Sequence, residues 1–567
     1  LQLKKPQRRQ QPMNRETELR FSEIPEIEKP RSKFKRPFTH KTTFNAADLV
    51  PIYLDQDILP GDTVKIDMAS VVRMATPLYP VMDNAYMDVM FFFVPNRLVW
   101  EHWQAFWGEN ENPWYQSIEY EVPQITTDTN KTFQEKSLAD YYGLPLGITG
   151  LSVSALPFRA YAKIWSDWFR DENLQSDALN TRGDSDADVS AYAYQGGALL
   201  KANKFHDYFT SALPAPQKGA EVYLPLGSWA PTVTRNEEVD TTDYYGRIPY
   251  TLRWKANNTS ATLNPVVKYN HTLSPITGET TKVNSGLNDA TATEKANITG
   301  IYPINLWTDL SNATAASITE LRQAFAIQRF YEAQARGGSR YIEFLKNIFG
   351  VTSPDARLQR SEYLGGKRIP INVQQVLQTS STDATSPQGN TGAFSHTADA
   401  GEYFTKSFTE HGILIGLATI RTDHTYNQGI ERGWSRKKWT DYYVPQFANL
   451  SEQAILNKEI YAQGTSTDEE AFGYQEAWAE YRYKPSMVTG AMRTTYAQSL
   501  DAWHYGDNYS QLPILGSTWI QETTDNIDRT LAVSADVENQ FIADFFFDTT
   551  YVRTMPLYSV PGLVEYM

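Results

Sequence analysis

A mainly β, antiparallel sandwich with helices confined to insertions is the fold class this 567-residue sequence predicts. Three observations carry the prediction. Within "PGDTVKIDMASVVRMATP" apolar and polar residues alternate, so that Val64, Ile66 and Met68 share one face, the period of a half-covered strand. Short apolar runs bounded by turn residues recur toward the C-terminus: "GILIGLATIRTD", "DYYVPQF", "DNIDRTLAVS" and "QFIADFFFDTTYVRTMP". Strands and helices do not alternate as βαβ units would require, and no fixed-period repeat is visible.

The elements follow in order. Residues 1–42 form a basic arm with twelve Lys/Arg against five acidic residues, a balance of +7 that leaves −21 on the rest of the chain. A basic arm ahead of an acidic body suits a protein that touches nucleic acid with one end, although a solvated tail with no partner has the same composition. "MNRETELRF" from Met13 looks like a natural start. Residues 1–12, with Lys4, Lys5, Arg8 and Arg9, are thus either a processed arm or a separate basic peptide.

"NAYMDVMFFFV" reads as a strand that Pro95 stops, apolar on both faces. Asn96 is then expected to cap a helix over "RLVWEHWQAFWG", with Gly108 just past its end and Trp100, Trp103 and Trp107 in one stripe. "ALPFRAYAKIWSDWFRDENLQ" repeats the pattern, with Phe158, Tyr161, Ala162, Trp165 and Phe169 on one face and Pro157 near the start. These tryptophans are expected to pack an insertion against the sheet or a neighbouring subunit. Between residues 251 and 300, twenty of fifty positions are Thr, Asn or Ser, which predicts an exposed, loop-rich insertion over 232–300. Two helices follow. One runs over "ELRQAFAIQRFYEAQA" behind a Ser317–Glu320 capping box, the other over "RYIEFLKNIFG" and ends at Gly350.

Composition excludes several classes. With no cysteine there are no disulfides, thiolate metal sites or cysteine nucleophiles. The longest apolar runs, "VMFFFV" and "GILIGLATI", are of strand length, too short to span a bilayer, and no secretory signal pattern opens the chain. Phosphate-cradling, dinucleotide, zinc-protease and nucleophile-elbow motifs are absent, and the eight histidines are dispersed. Asp184, Asp186 and Asp188 alternate as in a calcium loop. Val189 and Gln195, however, occupy the positions that need Gly and Glu, so an exposed acidic loop is expected instead. We therefore expect no catalytic residue, no metal and no cofactor.

The positive clusters carry more information. "ERGWSRKKW" brings Arg432, Arg436, Lys437 and Lys438 together between Trp434 and Trp439. Cations interleaved with aromatics suit single-stranded nucleic acid, the cations meeting phosphate and the indoles stacking on bases. A patch of salt bridges between subunits is the equal alternative.

Long stretches in matching order from about residue 13 resemble the major capsid protein of gokushoviruses, a branch of the microviruses with circular single-stranded DNA. They include "FTHKTTFNAADLVPIYLDQDILPGDTVKIDMASVVRMATPLYPVMDNAYMDVMFFFVPNRLVWEHW", "ARGGSRYIEFLKNIFGVTSPDARLQRSEYLGGKRIPINVQQVLQ", "QGIERGWSRKKW" and "ANLSEQAILNKEIYAQGTSTDEEAFGYQEAWAEYRYKPSMVTG". The resemblance implies an eight-stranded antiparallel jelly roll with long helical and loop insertions, built into a T=1 icosahedral shell. The jelly roll would take up residues 43–231 and 301–567. The variable 232–300 segment would form a three-fold protrusion used in host recognition.

The implied partners are further copies of the chain, the DNA genome, a small basic DNA-packaging peptide, an internal scaffolding protein, a pilot protein and a host surface receptor, with no membrane insertion. The implied location is the virion, assembled in the bacterial host cytoplasm. Two other classes compete with this reading. One is a carbohydrate-binding, lectin-like β-sandwich using tryptophan platforms, and the other a glycosidase using paired carboxylates.

Overall fold

The computed structural model describes residues 31–109, 119–220, 222, 318–338, 340–380 and 387–558, together with the backbone of short strands between 232 and 308. Residues 1–30, which include Lys4, Lys5, Arg8 and Arg9, lie outside the described residues.

Eight long strands organise the first unit: β1 (Ser32–Phe44), β2 (Val50–Ile58), β3 (Thr63–Met74), β4 (Ala85–Pro95), β5 (Glu362–Pro370), β6 (Thr397–Ser407), β7 (Gly412–Thr422) and β8 (Phe541–Arg553). They pair antiparallel into two four-stranded sheets, ordered β1-β8-β3-β6 and β5-β4-β7-β2. The architecture is a mainly β, antiparallel sandwich with helical insertions, as the sequence predicts.

Alternation explains the first sheet. Val64, Ile66, Met68 and Val72 of β3 and Phe541, Phe545, Phe547 and Tyr551 of β8 all point into the core. The intervening residues stay accessible, and there Lys35 pairs with Asp548, Lys41 with Asp544 and Lys65 with Glu402. Such exposed pairs contribute little each, because water and salt screen them.

The second sheet has no polar face in its centre. Met87, Val89, Phe91 and Phe93 of β4 fill the space between the sheets, with Leu414, Ala418 and Ile420 of β7 beside them. Their neighbours Phe92, Val94, Ile413, Ile415 and Leu417 turn to the other side and enter a second core under the helical insertion. A sheet covered on both faces needs near-continuous apolar runs, which is why "VMFFFV" and "GILIGLATI" look alike. Across the sandwich Phe93 meets Phe408 at 4.5 Å, Phe91 meets Phe404 at 5.5 Å, and Tyr53 bonds to Tyr551.

Gly416 sits where β7 crosses between Phe91 and Tyr53. A Cβ there would lie 2.6 Å from the Phe91 ring and 2.9 Å from Tyr53 Cβ. Gly416→Ala is therefore expected to cost about 1–3 kcal/mol through overpacking. Thermal unfolding of the purified chain measures it, and an unchanged midpoint would remove the steric argument.

The cover of the second sheet comes from α1 (Leu156–Ile164), prolonged by one π turn over Trp165–Phe169. Every residue of α1 is buried, so the expected amphipathic helix is in fact enclosed on all sides. Its two cations are satisfied within the fold: Arg159 donates to the Gly183 carbonyl at 2.9 Å, and Lys163 pairs with Asp167 at 2.6 Å.

The tryptophan helix expected over 97–107 does not form as one element. A 3-10 turn covers Asn96–Leu98 and a four-residue helix covers Trp103–Phe106. Between them the Glu101 amide donates to the Arg182 carbonyl instead of to its own turn, which breaks the helical ladder. Two of the expected strand runs are likewise turns. Pro445 opens a 3-10 turn in "DYYVPQF", and Asp525–Asp528 is a short helix. The two expected later helices are present as α2 (Ile318–Gly337) and α3 (Tyr341–Phe349), the latter ended by Gly350 in the left-handed conformation.

A second compact unit spans Gly219–Tyr331. Its described backbone includes an antiparallel three-stranded sheet of Val266–Lys268, Thr251–Ala256 and Ile298–Pro303, and a two-stranded pair of Leu306–Thr308 with Thr232–Thr234.

Candidate nucleic-acid interface

The "ERGWSRKKW" segment folds as successive tight turns, with 3-10 elements at Arg432–Ser435 and Trp439–Asp441. Consecutive turns send its four cations in two directions. Arg432 reaches inward, donating to the Ala454 carbonyl at 2.9 Å and lying 3.4 Å from Glu459. Burial pushes the Glu459 carboxyl up, and Arg432 partly offsets it. Arg436 pairs with Glu480 at 3.3 Å and stacks over the Tyr481 ring at 4.4 Å.

Lys437 and Lys438 point outward, and among the described residues neither makes an ion pair. Their backbone amides both donate to Asp441 at 2.8 Å, holding its carboxyl below the usual range and fixing the turn. Beside them Trp434 is 83% exposed and Trp439 71% exposed. The segment thus offers two lysines and two indoles to a partner, while its two arginines tie it to the body.

The four packing tryptophans also divide. Trp100 is fully enclosed and donates through Nε1 to Asp184 at 2.6 Å; Trp165 is buried and donates to the Lys201 carbonyl at 2.8 Å. Both belong to the core beneath the insertion. Trp103 is half-buried at its edge, and Trp107 is 60% exposed, stacked on His411 at 4.8 Å.

The acidic loop serves the same packing. Asp184 also meets His102 Nδ1 at 2.8 Å, Asp186 accepts from the Gln124 amide at 2.7 Å, and Asp188 pairs with Lys131 at 2.7 Å. Burial opposes the Asp184 charge, yet the bonds from His102 and Trp100 keep its carboxyl below the ordinary range. Among the described residues no group of three or more His, Asp or Glu could hold a metal ion, and no helix is long and apolar enough to cross a membrane.

Local sequence reading misses a buried charge cluster. His424, just past β7, lies 2.9 Å from Asp507 through Nδ1 and 3.0 Å from Glu522 through Nε2. Thr422 donates to Glu522, and Asn526 donates to Asp507 at 3.1 Å. Burial alone would lower the imidazolium's pKa; the two carboxylates outweigh it and hold it up at about 10. The partners lie 83 and 98 residues away, so no local motif signals them.

A two-sheet body, arginines drawn into internal pairs and large exposed aromatics together fit a structural protein whose work is done through its surfaces. The chain belongs to the capsid protein (F protein) family, whose pattern matches residues 22–563. It is 43% identical over 547 residues to capsid protein VP1 of Bdellovibrio phage phiMH2K, covering 96% of this chain and 97% of that one. It is 44% identical to capsid protein VP1 of Spiroplasma virus 4 (94% and 95% covered) and 39% identical to that of Chlamydia phage 1 (96% and 97%).

The gokushovirus kinship read from the sequence therefore holds. The chain is a major capsid protein of the virion, self-assembling into a shell, and not an enzyme. The lectin-like and glycosidase readings give way to it.

Proposed function

We propose that the shell is a T=1 icosahedron enclosing a circular single-stranded DNA genome, with the two four-stranded sheets as its eight-stranded jelly roll. The sheet order supports the jelly roll: strands far apart in sequence, such as β1 and β8, lie side by side, as two Greek keys require. The observation that carries the DNA reading is charge asymmetry, +7 on residues 1–42 against −21 on the rest. Lys4, Lys5, Arg8 and Arg9 of the arm, with Lys437 and Lys438, meet phosphate. Arg432 and Arg436 hold that face in shape. Whether residues 1–12 act in this chain or as a separate packaging peptide, the same four cations serve.

The 232–300 insertion forms the three-fold protrusion and meets a host surface receptor. An internal scaffolding protein and a pilot protein join during assembly in the host cytoplasm.

Neutralising Lys4, Lys5, Arg8 and Arg9 together should leave shells intact but lower their nuclease-protected DNA. Removing four phosphate contacts should also flatten the salt dependence of single-stranded DNA binding by roughly three in log–log slope. An unchanged slope and an unchanged DNA content would refute the arm's role.

A further inference from the structure

Two hollows share a wall beside the Arg432–Ser435 turn. The first, of about 400 Å³, is lined by aromatic side chains including Tyr208, Tyr426, Tyr483 and Trp434. The second, of about 350 Å³, is lined by Arg436, Arg482 and Lys484. Glu431, Glu480 and Tyr483 belong to both. The first volume falls within the range of small-ligand sites, roughly 300–1,000 Å³.

Each hollow is lined by a residue whose side chain holds a buried donor without a hydrogen-bond partner among the described residues. In the aromatic hollow it is Asn427 Nδ2, and in the basic one it is Arg436 Nε. A buried donor left unmade is costly, so each is more easily retained where a ligand acceptor meets it. The aromatic walls suit a planar ring. Trp434 leaves most of its indole open to such a ring, while Tyr208 and Tyr483, parallel within 8° at 5.3 Å, stack on each other and close their part of the wall.

The basic hollow suits an anion. Its three cations face two carboxylates, and those are already held, Glu431 by Lys484 at 2.8 Å and Glu480 by Arg436 at 3.3 Å. Arg482 pairs with Glu476, which lines neither hollow. Each of the three cations thus has a carboxylate partner, while Arg482 and Lys484 remain 59% and 68% exposed and open to a further anion.

A hollow walled by aromatic rings beside one lined by cations matches the two-part chemistry of a nucleotide. We propose that the joined hollows take one nucleotide of single-stranded DNA, its base against Trp434 and Asn427 and its phosphate on the Arg436–Lys484 wall. The proposal rests on the reading that the shell encloses single-stranded DNA. It adds a defined pocket to that reading, and it makes Arg436 both a brace for the turn and a phosphate contact.

A short oligothymidylate titrated into the purified full-length chain, with inorganic phosphate as a competitor, tests it. Trp434→Ala removes an exposed side chain and should weaken binding about tenfold, as loss of one stacked base does. Asn427→Leu should weaken it severalfold while leaving the thermal midpoint of the free chain unchanged or raised, because its amide has no protein partner to lose. Trp439→Ala, which lines neither hollow, should weaken binding less than Trp434→Ala does.

Parent-like binding by Trp434→Ala and Asn427→Leu overturns the pocket alone. Equal losses from Trp434→Ala and Trp439→Ala also overturn it, showing general stacking instead. A parent chain that binds no oligothymidylate overturns both the pocket and the DNA reading. Binding by free subunits that vanishes in assembled shells shows the hollow filled by a neighbouring copy and overturns the proposal.

Discussion

Trp100→Ala is expected to destabilise the subunit by about 3–5 kcal/mol, enough to abolish shells at physiological temperature. Trp100 is 0% exposed and belongs to the core that closes the outer face of β4 and β7, where Phe92, Val94 and Tyr161 lie. Truncation leaves a cavity that α1 cannot collapse into, because every residue of α1 is itself buried. It also takes from Asp184 the indole bond that joins the 182–184 loop to the insertion. Trp107→Ala makes the contrast. Its ring is mostly exposed, so subunit stability should change by no more than about 0.5 kcal/mol, and a fall in shell yield would then assign it to a boundary between copies. Calorimetry of the subunits beside particle yield separates the two. Shells of normal yield and thermal stability from Trp100→Ala would contradict the packing account.

The second large effect concerns His424. Its folded-state pKa is raised from the ordinary 6.5 to about 10, so the stability it contributes is fully present below 6.5 and is lost as pH rises through about 10. Asp507 works in the opposite direction. Burial opposes its charge, but His424 holds its pKa below the ordinary 3.8, and Lys204 and Asn526 add to the effect. Its contribution is present above 3.8 and lost as pH falls through the lower folded value. This cluster is therefore at full strength from about pH 4 to 6.5 and weakens steadily toward alkaline pH. His424→Gln leaves the buried Asp507 and Glu522 without their cation, at a cost of about 3–5 kcal/mol. Melting temperature followed from neutrality through about pH 10 should fall for the parent chain and stay flatter for the variant. Parallel curves would show that His424 is not the titrating group.

Much of the sandwich is legible in local pattern, because burial imposes a period. Val64, Ile66 and Met68 alternate since one face of β3 meets water, and "VMFFFV" does not alternate since both faces of β4 are covered. The tryptophan segment misleads for a physical reason. Spacings of three and seven residues fit one helix, but they also fit a 3-10 turn, a break and a short helix. Only the distant Arg182 carbonyl decides between them. The cationic segment misleads in the same way. Its arginines look free until the fold brings in Glu459 and Glu480, 27 and 44 residues along the chain. Kinship blocks identify the family, since they integrate over the whole chain what no local window holds.

Electron microscopy of the purified chain under assembly conditions tests the central claim most directly. The account predicts closed shells of one uniform size with T=1 symmetry. A monodisperse monomer that never closes into shells would contradict it.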